Sequence, residues 1–350
     1  MITINDIAKE AGVSIGTIDR VIHNRGGVSK KTEAKVNAII KKHDFKINVI
    51  ASSLASNKKF EIATLIPEFD SKNTFWKSPM MGISKAKEDI EKFGVKVNSY
   101  TFNQFEVSSY VSQFKKIIAS KPDAVIFTPL FGTETQLLAE ALDNKKIPYI
   151  FLNVNLDGFD NMSFIGQDSY MSGVLAGKLM HLSINDDASI AIMQTRINVD
   201  NNHAIYNRIS GFDDYFTDNN ISINRTKVTI FNLDDTDELK EKLHDMFNAN
   251  PTIKGIFVPS SRVFSFANCI DNSKIKDLAL IGFDGTEQNI KCLEDGRVSF
   301  LISQKPFKEG YESIKLMVDY LIEKKRPVSK IYSPIEILTK ENVKFSMELK

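Results

Sequence analysis

The sequence predicts a small all-α helix-turn-helix head followed by an α/β core of two doubly wound, parallel-sheet lobes. Residues 1–46 read as short helices separated by tight turns, whereas residues 60–338 alternate continuous apolar runs with helical stretches. Continuous apolar runs are typical of strands buried on both faces, and regular strand–helix alternation predicts parallel sheets covered by helices. About 280 residues of this pattern exceed one compact sheet, so we expect two lobes with a cleft between them.

These patterns divide the chain of 350 residues into three parts. The head covers residues 1–46, a segment rich in small residues covers 47–59, and the core covers 60–350. We expect the first lobe at about 60–181 and 305–332, and the second at about 182–304 and 333–350, because the strand–helix units fill two sheets. A ligand of such sheets binds beyond the carboxyl ends of the strands.

The head begins with two helices at close spacing. Thr3 and Asp6 form a capping-box pattern at the start of the first helix. Gly12 supplies the left-handed residue that ends this helix, and Ser14 is the N-cap of the next one. The apolar positions that pack the two helices together are Ile4, Ile7, Ala8, Ala11, Ile18, Val21 and Ile22. A helix, a short glycine-containing turn and a second helix form the helix-turn-helix layout.

Charge is unevenly distributed along the chain. Residues 1–59 hold 11 Lys and Arg against 5 Asp and Glu, a net charge of +6, whereas the remainder holds 34 against 39, a net charge of −5. A basic head on a mildly acidic body suggests that only the head meets a polyanion. The alternative is a solvated, lysine-rich surface, and charge by itself does not decide between the two.

Composition and motifs exclude several classes of protein. No apolar run is long enough for a membrane span, and the N-terminus lacks a secretory signal pattern. Cys269 and Cys292 are the two cysteines, which predicts neither a disulfide framework nor a metal site and fits a cytoplasmic location. The chain has no glycine-rich nucleotide loop and no nucleophile elbow, so we expect neither an enzyme nor a cofactor.

The order of residues from Asp6 to Asn24 resembles the opening of the LacI/GalR family of bacterial repressors. That family's pattern, D-I-A-x-x-A-G-V-S-x-x-T-V-S-R-V-L-N, is matched by Asp6, Ile7, Ala8, Ala11, Gly12, Val13, Ser14, Thr17, Arg20 and Val21. The resemblance implies that the second helix enters the major groove of a double-stranded DNA operator. It assigns DNA contacts in the head to Thr3, Ser14, Ile15, Gly16, Thr17, Arg20 and Asn24.

Asp19 departs from the family pattern, which has serine at this position. A carboxylate is an acceptor only, so it does not donate a hydrogen bond to a phosphate. It suits either an ion pair with Arg20 or Arg25, or a contact to the amino group of a cytosine.

The segment after the head resembles the hinge helix of the same family. The matching positions are Asn48, Ala51, Leu54 and Ala55, and the resemblance implies that the leucine wedges between bases from the minor groove. Ile47 and Val49 stand where the family has proline and arginine. The alternative for this segment is a flexible linker, for which a serine-rich composition is equally suitable.

The core resembles the type I periplasmic-binding-protein fold, which these repressors share with sugar-binding proteins. The landmarks are Phe75-Trp76, Asp168, the R-x-x-G-F pattern at Arg208, the I-G-F-D pattern ending at Asp284, and the Q-x-P pattern at Gln304. Paired polar groups suit vicinal hydroxyls, and an aromatic ring suits the apolar face of a pyranose. The predicted effector contacts are Phe75, Trp76, Asn153, Asp168, Arg208, Ser260, Asp284 and Gln304.

Each of these residues also has a structural interpretation. Asp168 and Asp284 follow strands and would equally well cap the next helix. Phe75 and Trp76 would equally well be core residues, and Arg208 a surface charge on an amphipathic helix. Where the family has Asn-Asp, this chain has Ser260 in the run Pro-Ser-Ser-Arg.

Arg262 ends that run, and Arg196 follows another strand. We therefore hypothesise an effector with an acidic or phosphate group, as an alternative to a neutral sugar. The sequence as a whole predicts a sugar-responsive transcription regulator that acts as a homodimer or tetramer on a palindromic operator. The alternatives are a nucleobase or protein effector, and a sugar-binding protein without DNA.

Overall fold

The computed structural model describes residues 4–22, 26–43, 59–71, 73–195, 202–230 and 232–346. Within the head, α1 spans Ile4–Ala11, α2 spans Ile15–Ile22 and α3 spans Lys30–Lys42. Their apolar faces meet in one small core that includes Ile7, Ile18 and Val36. As predicted, Gly12 has a left-handed φ of 68°, and Ser14 Oγ accepts a hydrogen bond from the backbone N–H of Thr17 at 3.2 Å.

The first lobe is built on a six-stranded, all-parallel sheet in the order β11-β5-β4-β3-β1-β2. Its strands are β1 (Phe60–Pro67), β2 (Val95–Phe102), β3 (Ala124–Phe127), β4 (Tyr149–Leu152), β5 (Ser163–Gly166) and β11 (Lys330–Tyr332). Its helices are α4 (Lys77–Ile90), α5 (Val107–Ser120), α6 (Gly132–Asn144) and α13 (Pro306–Glu323), with a 3-10 turn at Glu91–Phe93. Apolar clusters cover both faces of the sheet, as the continuous apolar strands predict.

The second lobe repeats this plan with the strand order β12-β10-β9-β8-β6-β7. Its strands are β6 (Ser189–Gln194), β7 (Asn224–Thr229), β8 (Ile253–Phe257), β9 (Ala279–Phe283), β10 (Phe300–Ser303) and β12 (Glu336–Leu338). Its helices are α7 (Ser169–Ser183), α8 (His203–Asp218), α9 (Thr236–Ala249), α10 (Val263–Cys269), α11 (Asn272–Ile275) and α12 (Glu287–Glu294), with a 3-10 turn at Val343–Phe345. Only β12 pairs antiparallel among the described strands.

The chain crosses between the lobes three times, at residues 167–168, 304–305 and 333–335. The expected first boundary near residue 181 is wrong, because α7 packs against α8 of the second lobe. Sequence alone did not locate this crossing, because a strand followed by a helix shows the same alternation whether or not the chain changes lobe between them.

Gln167 ties the three crossovers together. Its Nε2 donates to the backbone oxygen of Ser303 at 3.0 Å and to that of Pro334 at 3.4 Å. The side chain is buried, so these bonds are shielded from water. The crossovers therefore form one hydrogen-bonded hinge.

Glycines let one helix pair in each lobe approach closely. A Cβ on Gly82 of α4 would lie 2.0 Å from the Phe307 carbonyl oxygen of α13, and a Cβ on Gly173 of α7 would lie 2.1 Å from the Arg208 carbonyl oxygen of α8. Only glycine permits this separation, because a side chain would push the backbones apart. The second of these contacts fixes the position of Arg208 relative to its lobe.

Among the described residues, no helix has both the length and the apolar character that a bilayer crossing requires.

Candidate functional site

A cleft of about 310 Å³ lies between the lobes, beyond the carboxyl ends of the central strands. Both lobes and one crossover contribute to its walls. Seven of the eight predicted effector contacts line it, namely Phe75, Trp76, Asn153, Arg208, Ser260, Asp284 and Gln304. Fold topology brings these residues together from positions more than 200 residues apart in the sequence.

The first lobe supplies an aromatic wall. Phe75 and Trp76 follow β1 and lead into α4, and their ring centroids are 4.9 Å apart in an edge-to-face arrangement. They are only 8% and 5% exposed, yet both reach the cleft. Each ring is thus held by packing on one side and presents an apolar surface on the other, which suits the carbon face of a sugar.

Two polar residues at strand ends adopt a left-handed backbone. Asn153 follows β4 with a φ of 69°, and Asp284 follows β9 with a φ of 67°. Asn and Asp tolerate this conformation better than other non-glycine residues. The strain that remains is typical of residues placed for function rather than for packing.

A chain of hydrogen bonds joins these two residues through Gln304 on the second crossover. Asn153 Nδ2 donates to Gln304 Oε1 at 3.1 Å, and Gln304 Nε2 donates to Asp284 Oδ1 at 2.9 Å. Burial raises the pKa of Asp284, although Arg208 and the bond from Gln304 lower it. The cleft floor therefore spans both lobes and the hinge.

Arg208 lies on α8 and is 7% exposed. Its Nη1 donates to the carbonyl oxygen of Pro259 at 3.2 Å, and its guanidinium lies 3.9 Å from the centroid of the Phe283 ring. Its Nε is buried without a hydrogen-bond partner among the described residues. Burial lowers the pKa of Arg208, while the nearby carboxyls of Asp284 and Glu309 raise it. A guanidinium held this way has donors left for a ligand.

Asp168 is the predicted contact that does not line the cleft. It is the N-cap of α7, where its Oδ1 accepts a hydrogen bond from the backbone N–H of Met171 at 3.0 Å. The capping role, which was the alternative for this residue, is the one observed. Because the first crossover ends at Asp168, its carboxylate turns toward its own helix instead of the ligand space.

The positive charge of Arg262 is already matched inside the protein. Its Nη2 lies 3.1 Å from Asp234 Oδ1, and both residues line the cleft. Ser260 Oγ accepts a weak bond from the Arg262 backbone N–H at 3.4 Å. This ion pair weakens the argument for an acidic effector, and Arg196 lies outside the described residues.

Further polar residues line the cleft that the sequence analysis did not single out, namely Asn73, Gln104, Thr195, Asn202, Asn232 and Ser261. Several follow strands directly, which is the signal that would have identified them. Their amide and hydroxyl groups add donors and acceptors without adding net charge.

One side chain spans the cleft edge from lobe to lobe. Gln288 of α12 accepts a hydrogen bond from Thr74 Oγ1 at 3.2 Å and donates through Nε2 to the Ser71 carbonyl oxygen at 2.9 Å. These two bonds hold the loop after β1 against the second lobe. The two lobes are therefore in direct contact at this edge of the cleft.

The head presents a second surface on α2. Ile15 is 52% exposed, Gly16 and Arg20 are also exposed, and Ser14 Oγ and Thr17 Oγ1 lie 3.0 Å apart at the start of the helix. Asp19 is half-buried on the same helix, which leaves both of its predicted roles open. Five predicted DNA contacts lie outside the described residues, namely Thr3, Asn24, Asn48, Ala51 and Leu54.

Glu10 fixes the position of α1 relative to the end of α3. Its carboxylate oxygens lie 2.8 Å from Lys42 Nζ and 2.8 Å from His43 Nε2. These partners lower the pKa of Glu10.

Two sequence families match the chain. Residues 62–325 match the periplasmic binding protein domain, and residues 3–48 match the bacterial regulatory proteins of the lacI family. Catabolite control protein A of Staphylococcus aureus is 27% identical over 173 residues, 49% of this chain and 47% of that protein. The chain thus spans about half the length of this relative. The HTH-type transcriptional regulator DegA of Bacillus subtilis is 27% identical over 81% of this chain and 82% of its own.

Solved structures share the core fold. A proposed LacI transcriptional regulator from Bacteroides fragilis superposes with a TM-score of 0.76 at 29% identity, covering 82% of this chain and 99% of its own. The glucose-galactose binding protein GanP from Geobacillus stearothermophilus superposes with a TM-score of 0.71 at 20% identity, covering 82% and 99%. At that identity the second likeness shows the fold alone.

Proposed function

The chain belongs to the periplasmic binding protein domain family and opens with a lacI family regulatory domain, and we propose that it is a DNA-binding transcription regulator controlled by a small carbohydrate. The two curated relatives described above are a control protein and a transcriptional regulator, not enzymes. This is consistent with the absence of a catalytic motif in the sequence.

The observation that carries the proposal is that one wall of the cleft is aromatic and the rest offers polar side chains. The aromatic wall of Phe75 and Trp76 suits the apolar carbon face of a sugar ring. Arg208, Asp284 and Gln304 supply donors and acceptors for its hydroxyls. Buried polar groups that the wrong ligand leaves unpaired would exclude that ligand.

We favour a neutral sugar over an acidic one. Arg262 is paired with Asp234, and Arg208 faces the carboxyl of Asp284. The two positive charges of the cleft are thus matched by two negative charges. An anionic ligand would add a negative charge that has no partner of its own. A sugar acid or phosphate is the alternative that the binding experiment below distinguishes.

The head suits major-groove reading by the exposed face of α2. Ile15 offers an apolar contact such as one to a thymine methyl, whereas Thr17 and Arg20 offer polar contacts. One helix-turn-helix reads a half-site, so the proposed unit is a homodimer on a palindromic operator. A pair of such dimers would form the tetramer that is the other expected state.

Closure of the lobes on the effector is the proposed switch. The three crossovers are one hydrogen-bonded hinge, so closure turns each lobe as a unit. In a dimer this changes the distance between the two segments that lead to the heads. Release of DNA is the expected direction by resemblance, with a coupling of about 1–3 kcal/mol.

The test is selection of duplexes from a random DNA pool by the full chain, followed by binding titrations with and without added ligands. The ligand panel contains neutral aldoses, their uronates and phosphates, and nucleobases. We expect one palindromic site, and an affinity for it that changes about 5- to 150-fold with a neutral aldose. A protein with no preference among duplexes would refute the regulator proposal.

Matched variants test effector response and DNA binding separately. Arg208→Met keeps the aliphatic volume of the side chain and removes its donors, so it should bind the selected site and not respond to the sugar. Arg326→Met, at an exposed position, should respond as the unmodified protein does. Arg20→Ala should weaken DNA binding and leave ligand binding unchanged.

A further inference from the structure

Resting on the function proposed above, we propose that Glu309 is a positioning residue that sets, through Asn153 and Gln304, which polar atoms the cleft offers to its effector. Glu309 lies in the first turn of α13, next to the second crossover. It is 2% exposed and lies behind the residues that line the cleft. Burial of a carboxyl group costs free energy of folding unless hydrogen bonds compensate for the lost hydration.

The hydrogen bonds of the cleft floor continue to Glu309. Asn153 Nδ2 lies 3.5 Å from Glu309 Oε2 and 3.1 Å from Gln304 Oε1. Gln304 Nε2 in turn donates to Asp284 Oδ1 at 2.9 Å. Four side chains therefore form one chain that runs from the hinge to the second lobe.

The chemistry of its two ends fixes the orientation of this chain. An ionised carboxylate only accepts hydrogen bonds, so Glu309 requires the NH₂ group of Asn153 and Asp284 requires the NH₂ group of Gln304. Gln304 Oε1 then faces Asn153, whose second N–H hydrogen it accepts. Both amides are thus oriented, and each hydrogen bond of the chain joins an N–H donor to an oxygen acceptor.

This orientation determines which polar atoms are available to a ligand in the cleft. Asn153 keeps Oδ1 for the effector, Gln304 keeps one N–H, and Asp284 keeps Oδ2. Two acceptors flank one donor in this arrangement. Such a pattern selects among sugars by the direction of their hydroxyl groups, because a mismatched hydroxyl leaves a buried group unpaired.

The charge state of Glu309 contributes to this orientation at the Asn153 end of the chain. Burial raises its pKa to about 7, with a further contribution from Asp284, whereas Ser333, Asn153 and Arg208 lower it. The charged groups that act on it are Asp284 from the end of β9 and Arg208 from α8. A protonated Glu309 donates a hydrogen bond and no longer favours the NH₂ group of Asn153. Protonation therefore removes the constraint at the Glu309 end, and the orientation of Asn153 then depends on Asp284 alone, through Gln304.

A role confined to hinge packing makes a different prediction. The side-chain volume of Glu309 does not change with pH, so a packing role would leave the effector affinity independent of its protonation. The pH dependence of that affinity thus separates positioning from packing, and the amide resonances of Asn153 and Gln304 test whether protonation of Glu309 reaches the two amides.

The experiment is a pH titration of the side-chain ¹⁵N–¹H resonances of Asn153 and Gln304 in the ligand-free full chain. In the unmodified protein we expect both to shift with one shared midpoint near neutral pH. In Glu309→Gln, which keeps an acceptor for Asn153 but does not titrate, both should be invariant. Glu312→Gln, on the same helix, should titrate like the unmodified protein.

Two results would overturn the proposal. One is invariance of both resonances in the unmodified protein from pH 5.5 to 8.5, and the other is persistence of the same titration in Glu309→Gln. If Glu309→Gln does not fold, Ser333→Ala serves instead. Removal of a group that stabilises the ionised form should move the shared midpoint to higher pH, and an unmoved midpoint would count against Glu309.

A calorimetric arm uses D-galactose, D-ribose and D-arabinose as probes. A sugar that binds should bind about tenfold more weakly at pH 6 than at pH 8, and equally at both in Glu309→Gln. Equal affinity at both pH values in the unmodified protein would contradict the proposal. Failure of all three sugars to bind would count against the sugar effector, while invariance of both amide resonances would still refute the role of Glu309.

Discussion

Gln304 donates a hydrogen bond from Nε2 to Asp284 Oδ1 at 2.9 Å, and this bond joins the hinge to the ligand-facing end of β9. Gln304 belongs to the second crossover, whereas Asp284 belongs to the second lobe. A ligand that pairs with Asp284 thus acts on a side chain whose partner lies in the hinge itself. In the proposed switch, effector binding and lobe movement would therefore share one hydrogen-bonded network.

Replacement of Asp284 by asparagine tests this relationship. Asparagine tolerates the left-handed φ of 67° and can still accept the bond from Gln304, so the backbone should be preserved. Loss of the ionised acceptor should weaken effector affinity about 10- to 100-fold, since hydrogen bonds to charged groups contribute about 1.5–3 kcal/mol. Calorimetry with a sugar found by the screen measures this. DNA affinity without effector should not change.

The matched control is Asp277→Asn, which removes an exposed carboxylate near the start of β9. It should alter neither affinity. Wild-type effector affinity in Asp284→Asn would contradict the assignment of Asp284 to the ligand.

The close contact between α4 and α13 makes a second prediction. A Cβ on Gly82 would lie 2.0 Å from the Phe307 carbonyl oxygen, so Gly82→Ala must separate the two helices. We expect a loss of about 1–3 kcal/mol in the free energy of unfolding, measured by urea titration. Gly132→Ala is the control, because its new Cβ would meet only the His203 ring nitrogen at 3.9 Å. Equal stability of the two variants would show that this contact is not tight.

Much of the fold could be predicted from the sequence because its signals are local. The helix α13, Pro306–Glu323, has a clear local signal, because proline stands at its first position and its apolar residues recur at helical spacing. The three-residue strands β11 and β12 were not predicted, because runs this short carry no usable periodicity.

The residues that line the cleft could be predicted where a family motif includes them, as at Arg208 and Asp284. They could not be predicted where their place depends on the direction in which the chain turns or on a partner that is distant in the sequence. Asp168 follows a strand just as Asp284 does, but the chain turns after it into α7 and makes it a cap. Glu309 carries no motif, and only the packing of α13 beside Asn153 reveals its place in the cleft floor.

The contact across the cleft edge makes a third prediction. Gln288 bonds Thr74 and the Ser71 carbonyl oxygen, so Gln288→Ala should favour an open arrangement of the lobes. We expect a larger radius of gyration in small-angle scattering, and an effector affinity about threefold to tenfold weaker, because a net hydrogen bond contributes about 0.5–1.5 kcal/mol. Glu287→Ala, at the neighbouring exposed position, should behave like the unmodified protein. An unchanged radius and affinity would mean that these bonds do not hold the lobes together.

The raised pKa of Glu309 predicts how stability depends on pH. Its pKa rises from 4.5 to about 7 in the folded protein, mainly because it is buried, so between these values the folded state binds more protons than the unfolded state. The free energy of unfolding should therefore fall as pH rises from about 4.5 to about 7, by up to about 3 kcal/mol from this group. Glu309→Gln should lack this contribution and be the more stable protein at pH 8. Urea titrations of both proteins at pH 5, 6, 7 and 8 measure the difference, which should grow with pH and then level off. A constant difference across the series would mean that Glu309 titrates alike in the folded and unfolded states.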